Sequence, residues 1–392
     1  MTGRIGAFEV SLEGKKLGLY PYFRPIVSEQ DTEVILNTGR RVLMLGSNSY
    51  LGLTNHPEVK AAAIQAIERY GTGCAGSRFL NGTLDLHEEL EHELARWVGK
   101  EDALLFSTGF QTNQGVIAPI LGRHDHVILD VHDHASILDG ARLSMARIHR
   151  YSHNNMETLA AILSRVDHTA GILIVADGVF SMEGDIVRLP EVIALAERHE
   201  ALVMIDDAHA LGVLGNEGSG TASHFGLTDR IQFIMGTFSK SLASVGGFVA
   251  SDAQTIEFLK HHSRPLIFSA SMPPGSVAAA LAALRIIRRE PERIQKLWKN
   301  AEMMLTGLKS LGFDTGLSET PIIPVHMSDL LHLVLMCKRL EEEGVFVNPI
   351  IPPAVPPSDC LLRISVMATH TSSQMSFALD KMERVGKELG VI

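Results

Sequence analysis

One lysine and one aspartate follow strand-like stretches of this chain. Lys240 lies in residues 236–241 (GTFSKS), 34 positions (240 − 206) after Asp206 in residues 205–209 (IDDAH). An amine can hold an aldehyde as a Schiff base, and a carboxylate can keep a pyridine nitrogen protonated. Pyridoxal phosphate (PLP) needs both groups to act as an electron sink. We therefore predict that Lys240 binds PLP and that Asp206 lies at its ring nitrogen.

Two hydroxyls flank the lysine. Thr237 and Ser239 lie with it on a short turn between strand-like residues 233–235 and 248–250. They are candidates for holding a phosphate or orienting the amine. A Ser-Lys pair alone is more often part of a solvated loop, because lysine is mostly an exposed residue. The prediction therefore depends on the rest of the chain.

Length, composition and charge limit the class of protein. The chain has 392 residues, which favours one large domain with one or two smaller ones. Hydrophobic residues make up 45% and charged residues 20%, as in ordinary globular proteins. The net charge of −10 argues against a nucleic-acid partner, because phosphate backbones are bound by clustered basic residues. A local basic mouth for an anionic substrate stays open.

The cysteines and apolar runs indicate the compartment. Cys74, Cys337 and Cys360 are widely spaced and form no CxxC pair, so neither a disulfide framework nor a thiolate zinc site is indicated. Residues 277–284 form the longest run of small apolar residues, far below the roughly 20 that a membrane span needs. The N-terminus shows no basic region followed by an apolar stretch. We predict a cytoplasmic protein without a membrane span; contact with a membrane surface stays open.

Apolar β-rich runs alternate with helical patterns along the middle of the chain. The runs are residues 127–129, 172–175, 202–205, 233–235 and 248–250. Residues 190–199 show a proline at a helix start and apolar residues at helical spacing. The alternation predicts an α/β fold with a mostly parallel sheet covered on both faces. Because ligands bind such sheets at the carboxyl ends of the strands, Asp177, Asp206 and Lys240 should meet at one edge.

We predict three parts of the chain. They are an N-terminal arm (1–55), a large PLP-binding α/β domain (56–295) and a small α+β C-terminal domain (296–392). The arm carries a hairpin around residues 37–41. The small domain carries amphipathic helices over 301–311 and 330–343, and a proline-rich loop over 349–357.

Four histidines lie close together among aspartates and offer a different chemistry. They are His124, His126, His132 and His134. Alternate residues of one strand face the same way, but no partner motif supplies a closed set of ligands. We predict no metal site. A metal-dependent hydrolase remains the alternative, and it would lack the yellow colour of a PLP protein.

Six motifs, in this order, resemble the α-oxoamine synthases. They are residues 48–53 (NSYLGL), 71–78 (GTGCAGSR), 133–136 (DHAS), 177–185 (DGVFSMEGD), 206–209 (DDAH) and 236–241 (GTFSKS). The match spans nearly the whole chain. The resemblance implies PLP-dependent transferase fold type I and condensation of an amino acid with an acyl-CoA thioester, with loss of carbon dioxide.

Three local features resemble the members of this family that use L-serine. They are residues 30–34 (QDTEV), 79–83 (FLNGT) and 352–357 (PPAVPP) before Arg363. These members join L-serine to a long-chain acyl-CoA (palmitoyl-CoA) and release 3-ketodihydrosphingosine, CoA and carbon dioxide, the first step of sphingolipid synthesis. Two features depart from the pattern, namely Asp207 in place of glutamate and residues 364–367 (ISVM) after Arg363.

Two alternatives stay open within this fold. One is a member of the 8-amino-7-oxononanoate synthase or 2-amino-3-ketobutyrate CoA ligase type, which uses alanine or glycine. The other is a non-catalytic PLP-fold subunit. Dead subunits of this family lack the Schiff-base lysine, so the presence of Lys240 and Asp206 argues against the second.

The resemblance also implies roles for two histidines and the lysine. His134 would stack on the PLP ring and help to hold the substrate carboxylate. His209 would donate a hydrogen bond to the ring oxygen of the cofactor. The amine of Lys240 would take the α-proton of the substrate, with its basicity tuned by burial and by the charge of the cofactor.

Further residues are implied at the phosphate and at the substrate. A helix N-terminus after residues 107–111 offers N–H groups to a phosphate. The implied cofactor-binding residues are Gly109, Phe110, Ser181, Thr237, Ser239 and Ser271. Ser271 would reach the phosphate of the neighbouring subunit, which implies a homodimer with a shared active site. Asn48 and Arg363 would hold the substrate; the planar fork of Arg363 suits a carboxylate, although a structural salt bridge is its alternative role.

Overall fold

The computed structural model describes residues 14–327, 329–352, 354–356 and 359–392. These residues group into two compact units. The larger unit comprises Ser49–Ser181 and Asp185–Gln295, and the smaller comprises the described residues up to Asn48, Met182–Gly184 and Lys296–Ile392. The division of the chain into three parts at residues 55 and 295 stays a prediction.

Thirteen strands lie in the described ranges. They are β1 (Glu33–Ile35), β2 (Arg41–Met44), β3 (Asp102–Phe106), β4 (His126–Asp130), β5 (Arg147–Tyr151), β6 (Ile172–Asp177), β7 (Leu202–Asp206), β8 (Phe233–Thr237), β9 (Gly247–Ser251), β10 (Ile322–His326), β11 (Val345–Phe346), β12 (Asn348–Ile350) and β13 (Leu361–Ser365).

The helices of the same ranges are numbered in chain order. They are α1 (Pro57–Tyr70), α2 (Asp85–Val98), α3 (Gly109–Ile120), α4 (Ala135–Ser144), α5 (Met156–Leu163), α6 (Leu189–Arg198), α7 (Thr221–His224), α8 (Ala253–His262), α9 (Arg264–Ile267), α10 (Pro274–Arg289), α11 (Glu292–Leu311), α12 (Leu330–Glu342) and α13 (Ser372–Glu388). None of them is long and apolar enough to cross a bilayer.

A seven-stranded sheet forms the centre of the larger unit. Its order is β3-β9-β8-β7-β6-β4-β5, and β9 alone runs in the opposite direction to the other six strands. Every residue of β6 is buried, as the continuous apolar pattern predicts for a strand covered on both faces. Side chains from six strands and from α3, α4, α8 and α9 share one apolar core. The predicted α/β fold with a mostly parallel sheet is confirmed.

Two small sheets belong to the smaller unit. One has the order β1-β2-β11, in which β1 and β2 form the predicted hairpin, with Glu33 opposite Leu43. The other is antiparallel with the order β10-β13-β12. The apolar side chains of Val34, Val42 and Phe346 contribute to a core of this unit.

Two details of the predicted C-terminal region are wrong. The first helix begins at Glu292, well before residue 301, because its amphipathic pattern extends further towards the N-terminus. Pro349 belongs to β12, not to a loop. This strand is at the edge of its sheet, where a residue without an N–H group leaves no ladder bond unmade. Pro353 and Pro357 of the predicted proline-rich loop lie outside the described residues.

Candidate active site

Polar side chains end four neighbouring parallel strands at one edge of the large sheet. Asp130, Asp177, Asp206 and Thr237 are the last residues of β4, β6, β7 and β8. Asp177 pairs with Asp206, and Asp206 pairs with Met235 of β8. The predicted gathering of Asp177, Asp206 and the Lys240 turn at the carboxyl edge therefore follows directly from strand register.

Asp206 is buried and accepts hydrogen bonds from two amides. Its Oδ2 accepts from Nδ2 of Asn113 at 2.7 Å, and its Oδ1 accepts from the N–H of Ala208 at 3.0 Å. Only 4% of Asp206 is exposed. A carboxylate at such a site needs donors to offset the loss of water, and both of these donors are uncharged. The site therefore suits a further, cationic donor such as a pyridinium N–H.

A closed turn presents Lys240 after β8. The N–H of Phe238 donates to the carbonyl of Gly246 at 2.9 Å, and the N–H of Ser244 donates back to the carbonyl of Phe238 at 2.9 Å. Gly246 has φ +140°, in the region that favours glycine. Ala243, with φ +54°, donates its N–H to the carbonyl of Lys240 at 3.1 Å. The backbone thus fixes the position of the half-buried lysine.

The N-terminus of α3 lies against this turn, and Gly109 and Thr237 form a cradle where they meet. Thr108 caps the helix by accepting the N–H of Gln111 at 3.1 Å. A Cβ on Gly109 would lie 2.6 Å from Oγ1 of Thr237, whose hydroxyl donates to the carbonyl of Gly246 at 3.0 Å. Only glycine fits at this close approach. The uncapped N–H groups at the start of the helix are donors that anion sites use, and the Thr237 side chain closes the site beside them.

His134 caps α4 and accepts hydrogen bonds at one ring nitrogen. Its Nδ1 lies 2.7 Å from the hydroxyl oxygen of Ser136 and 3.3 Å from the N–H of the same residue. The ring of Phe110 approaches edge-on, with centroids 6.3 Å apart. Burial lowers the pKa of His134, the positive charge of Lys240 lowers it further, and Asp206 acts in the opposite direction. A neutral imidazole is therefore favoured.

His209 is bound by a tyrosine that the sequence did not single out. The hydroxyl of Tyr50 lies 2.6 Å from Nδ1 of His209, and both side chains are buried. Tyr50 stands in the NSYLGL motif, which was the available signal. This contact orients the imidazole ring towards a single arrangement.

Three further carboxyls at this edge are biased towards their protonated forms. Burial, and then neighbouring carboxylates, raise the pKa of Asp133 and of Asp177 well above the usual range. Asp133 accepts the N–H of Asp177 at 3.0 Å. Burial also raises the pKa of Asp207 to about 7, against hydrogen bonds from Thr221 that lower it. Protonation of these groups limits the negative charge at the edge of the sheet.

The three predicted serines lie in different surroundings. Ser181 follows β6 and is half-buried. Ser239 is exposed, with its oxygen 3.1 Å from Oγ1 of Thr237. Ser271 is buried, and its hydroxyl donates to the carbonyl of Gly76 in the same chain at 3.1 Å. The predicted roles of all three in binding the cofactor stay predictions.

Asn48 and Arg363 contact each other within the smaller unit. Nη1 of Arg363 donates to Oδ1 of Asn48 at 2.9 Å and to Oγ of Ser365 at 2.8 Å. Arg363 belongs to β13 and is 5% exposed. The two predicted substrate residues are thus brought together, and their role in binding substrate stays a prediction.

The four clustered histidines do not lie on one strand. β4 spans only His126–Asp130, so His124, His132 and His134 lie outside it. Nδ1 of His126 is 2.9 Å from Nε2 of His149, whereas the His132 ring stacks on that of His153 with centroids 4.3 Å apart. Turns at both ends of this short strand separate the side chains into different environments.

His153 bridges two buried carboxylates and was not found by sequence reasoning. Its ring nitrogens lie 3.1 Å from Oδ1 of Asp130 and 3.1 Å from Oδ2 of Asp185. Burial would lower the pKa of His153, but these two contacts outweigh it and raise the pKa to about 10. An imidazolium thus ties the end of β4 to Asp185. No motif signals this pairing, because the three residues are far apart in the sequence.

This fold and this edge of the sheet are those of the aminotransferases. The family model described as aminotransferase class I and II matches residues 40–382, so the chain belongs to that family.

Individual relatives narrow the class further. A serine palmitoyltransferase from Sphingobacterium spiritivorum is 55% identical over 388 residues, which cover 99% of this chain and 97% of the relative. An 8-amino-7-oxononanoate synthase from Symbiobacterium thermophilum is 45% identical over 379 residues, 96% of each chain. A solved serine palmitoyltransferase from S. paucimobilis with bound PLP–myriocin aldimine superposes with a TM-score of 0.95 at 38% identity, covering 99% of this chain and 98% of the other. The resemblance to the α-oxoamine synthases and the predicted PLP-dependent transferase fold type I are confirmed.

Proposed function

We propose that this chain is a PLP-dependent acyltransferase of the serine palmitoyltransferase type. It joins L-serine to a long-chain acyl-CoA, palmitoyl-CoA, and releases 3-ketodihydrosphingosine, CoA and carbon dioxide. The observation that carries the proposal is that the buried Asp206 ends β7 while the Lys240 turn follows the adjacent strand β8. The chain that holds them superposes on a solved serine palmitoyltransferase.

The residues present fit PLP. The cradle at Gly109 and Thr237 suits its phosphate, and the buried Asp206 suits its ring nitrogen. When bound, PLP supplies an electron sink for charge that develops at the α-carbon of the substrate. Lys240 would hold the aldehyde through its amine until the amino acid replaces it. The freed amine would then accept the α-proton, and Asp206 would keep a proton on the ring nitrogen.

The two histidines would orient the reacting groups. His134, held neutral at the start of α4, would lie against the ring and fix the substrate carboxylate, so that the bond to be broken stands perpendicular to the ring. His209, held by Tyr50, would donate to the ring oxygen. Ser181 and Ser239 would complete the cofactor site with Phe110. Asn48 and Arg363 would bind the substrate carboxylate through an amide and a guanidinium.

The test of the covalent linkage is reduction with borohydride followed by digestion. We expect the reduced label on the peptide that contains Lys240, and none in Lys240→Ala. Lys60→Ala is the matched control, because Lys60 is exposed in α1 and should leave labelling unchanged. A label on another lysine, or no retained label, would overturn the proposal.

Substrate choice is tested with a panel of amino acids and acyl-CoA thioesters. We expect L-serine to change the visible spectrum of the holoenzyme and to release CoA from palmitoyl-CoA, measured with a thiol reagent. A response to glycine or alanine but not to L-serine would favour the 8-amino-7-oxononanoate synthase or 2-amino-3-ketobutyrate CoA ligase type. Bound PLP without CoA release would favour a non-catalytic subunit.

We also propose a cytoplasmic homodimer with a shared active site. Cys74, Cys337 and Cys360 form no disulfide with one another, which suits a reducing compartment. The exposed apolar side chains of Leu80 and Phe268 in the larger unit suit a subunit interface. In a mixture of Lys240→Ala with Ser271→Ala, a hybrid dimer with shared sites would regain one intact site. Activity no higher than that of the separate variants, or a monomer by analytical ultracentrifugation, would refute this arrangement.

A further inference from the structure

A chain of hydrogen bonds connects the two ends of the candidate site through residues that have no assigned role. Nδ2 of Asn113 donates to Oδ2 of Asp206 at 2.7 Å and to Oγ of Ser136 at 2.8 Å. The Ser136 oxygen lies in turn 2.7 Å from Nδ1 of His134. Asn113 is fully buried and Ser136 is 1% exposed. The chain therefore runs through the interior, where such bonds are stronger than in water.

The direction of each bond follows from the donors available. A carboxylate accepts only, so the Asn113 amide must turn its NH₂ group towards Asp206, and its second N–H is then directed to Ser136. Because the Ser136 oxygen accepts from Asn113, its own proton is available to His134. Nδ1 of His134 also accepts the backbone N–H of Ser136 at 3.3 Å. Two donors at Nδ1 require an unprotonated nitrogen, so the ring proton belongs on Nε2.

Local packing holds the two intermediate residues together. Asn113 lies one turn inside α3, and Ser136 lies in the first turn of α4. A Cβ on Gly140 of α4 would lie 2.9 Å from the carbonyl oxygen of Asn113. The two helices can approach this closely only because residue 140 is glycine. The contact is thus fixed by the backbone as well as by the side chains.

We propose that Asn113 and Ser136 are positioning residues that couple Asp206 to His134 and hold His134 as the neutral tautomer protonated at Nε2. The catalytic consequence rests on the proposed function. A neutral ring offers the substrate a single N–H donor, at Nε2, whereas protonation at Nδ1 would break both bonds from Ser136. The titratable groups that face His134 are Asp206 from β7, Asp177 from β6, whose carboxyl accepts its N–H, and Lys240 from the turn after β8.

The test is histidine NMR on cofactor-free protein with isotope-labelled imidazole rings, with His134 assigned by comparison with His134→Gln. We expect wild-type His134 to show an unprotonated Nδ1 and a proton on Nε2 at neutral pH. In Ser136→Ala the ring loses a donor to Nδ1, so its proton affinity should rise roughly three- to tenfold, the effect of one hydrogen bond. Ser144→Ala is the matched control, because that hydroxyl in the same helix donates to Ala141 and does not contact the ring.

A double-mutant cycle tests whether Asn113 acts through Ser136. Asn113→Ala should raise the proton affinity of His134 in the wild-type background and change it much less when Ser136 is already alanine. An Nδ1-protonated tautomer in the wild type, a His134 titration unchanged by Ser136→Ala, or equal effects of Asn113→Ala in both backgrounds would each overturn the inference. Loss of borohydride labelling at Lys240 in the wild type would instead refute the proposed function, so the two failures are distinguishable.

Discussion

Replacing His153 by glutamine should destabilise the protein in a way that fades as the pH rises. The imidazolium of His153 lies between the carboxylates of Asp130 and Asp185, and its pKa is raised to about 10 from an ordinary value of 6.5. The folded state thus binds the proton more tightly than the unfolded chain does. The resulting stability is complete below pH 6.5 and is lost as the pH rises through about 10.

The structure sets the size of this effect. Each pH unit between the two pKa values corresponds to about 1.36 kcal/mol, which would give about 4 kcal/mol at pH 7 and about 1.4 kcal/mol at pH 9. The side chain of His153 is 21% exposed, so solvent screens part of the attraction. Halving both figures for this screening gives an expected loss of about 2 kcal/mol at pH 7 and about 0.7 kcal/mol at pH 9 for His153→Gln.

The assay is urea unfolding of wild type and His153→Gln from pH 6 to pH 10, followed by circular dichroism. His332→Gln is the matched control, because His332 is 3.4 Å from Asp329 but 47% exposed, and it should change stability little at any pH. Histidine NMR of the wild type should show that His153 titrates near pH 10. A stability difference that stays constant from pH 6.5 to pH 10, or a His153 that titrates below pH 7, would refute the electrostatic reasoning.

Three other substitutions give separate tests. Asp206→Asn removes the carboxylate that would keep the ring nitrogen protonated. In steady-state kinetics kcat for CoA release should fall at least about a hundredfold, while circular dichroism shows that the fold is retained. A decrease in kcat of less than about tenfold would contradict that role. Gly109→Ala forces Thr237 to move, so it should weaken PLP binding at least about tenfold in fluorescence titrations and lower the free energy of unfolding by about 1–3 kcal/mol. An unchanged affinity for PLP would contradict the role of Gly109 and Thr237 at the phosphate. The pKa of Asp207 is raised to about 7, so the folded state loses stability as the pH rises from about 4 to 7. Asp207→Asn should therefore be more stable than wild type at pH 8, by roughly 2–4 kcal/mol in urea unfolding, but not at pH 4. Equal stability of the two proteins at both pH values would refute this.

The parts of the site that strand order determines were predictable from the sequence. Residues at the carboxyl ends of parallel strands must share one edge, so Asp177, Asp206 and the Lys240 turn could be placed together without knowing any side-chain contact. The same holds for Thr108 and Gly109, because a small-residue turn before a helical pattern marks a helix start. Hydrophobic periodicity and helix-start signals in the sequence indicate directly where these strands and helices begin and end.

The contacts that depend on how helices approach one another were not predictable in the same way. Asn113 reaches Asp206 because α3 crosses the edge of the sheet, and it reaches Ser136 because Gly140 allows α4 to come close. Nothing in the local sequence of Asn113 distinguishes it from an ordinary polar residue inside a helix. His153 is similar, since one of its carboxylate partners ends β4 and the other lies in the segment after β6.

The adjacent aspartates 206 and 207 show where local pattern stops and three-dimensional structure decides. Asp206 ends the buried strand β7 and Asp207 follows it, and their residue types alone do not say which one faces a ligand. Asp206 accepts from Asn113 on α3, whereas Asp207 accepts the N–H of Thr221 on α7 and donates its own N–H to Met235. Successive side chains at a strand end point in opposite directions, so only one of the two can face the Lys240 turn. A Cβ on Gly178 would lie 2.1 Å from Oδ1 of Asp207, so the backbone encloses this carboxyl and its role is structural. Asp206 is the aspartate whose position suits a ring nitrogen.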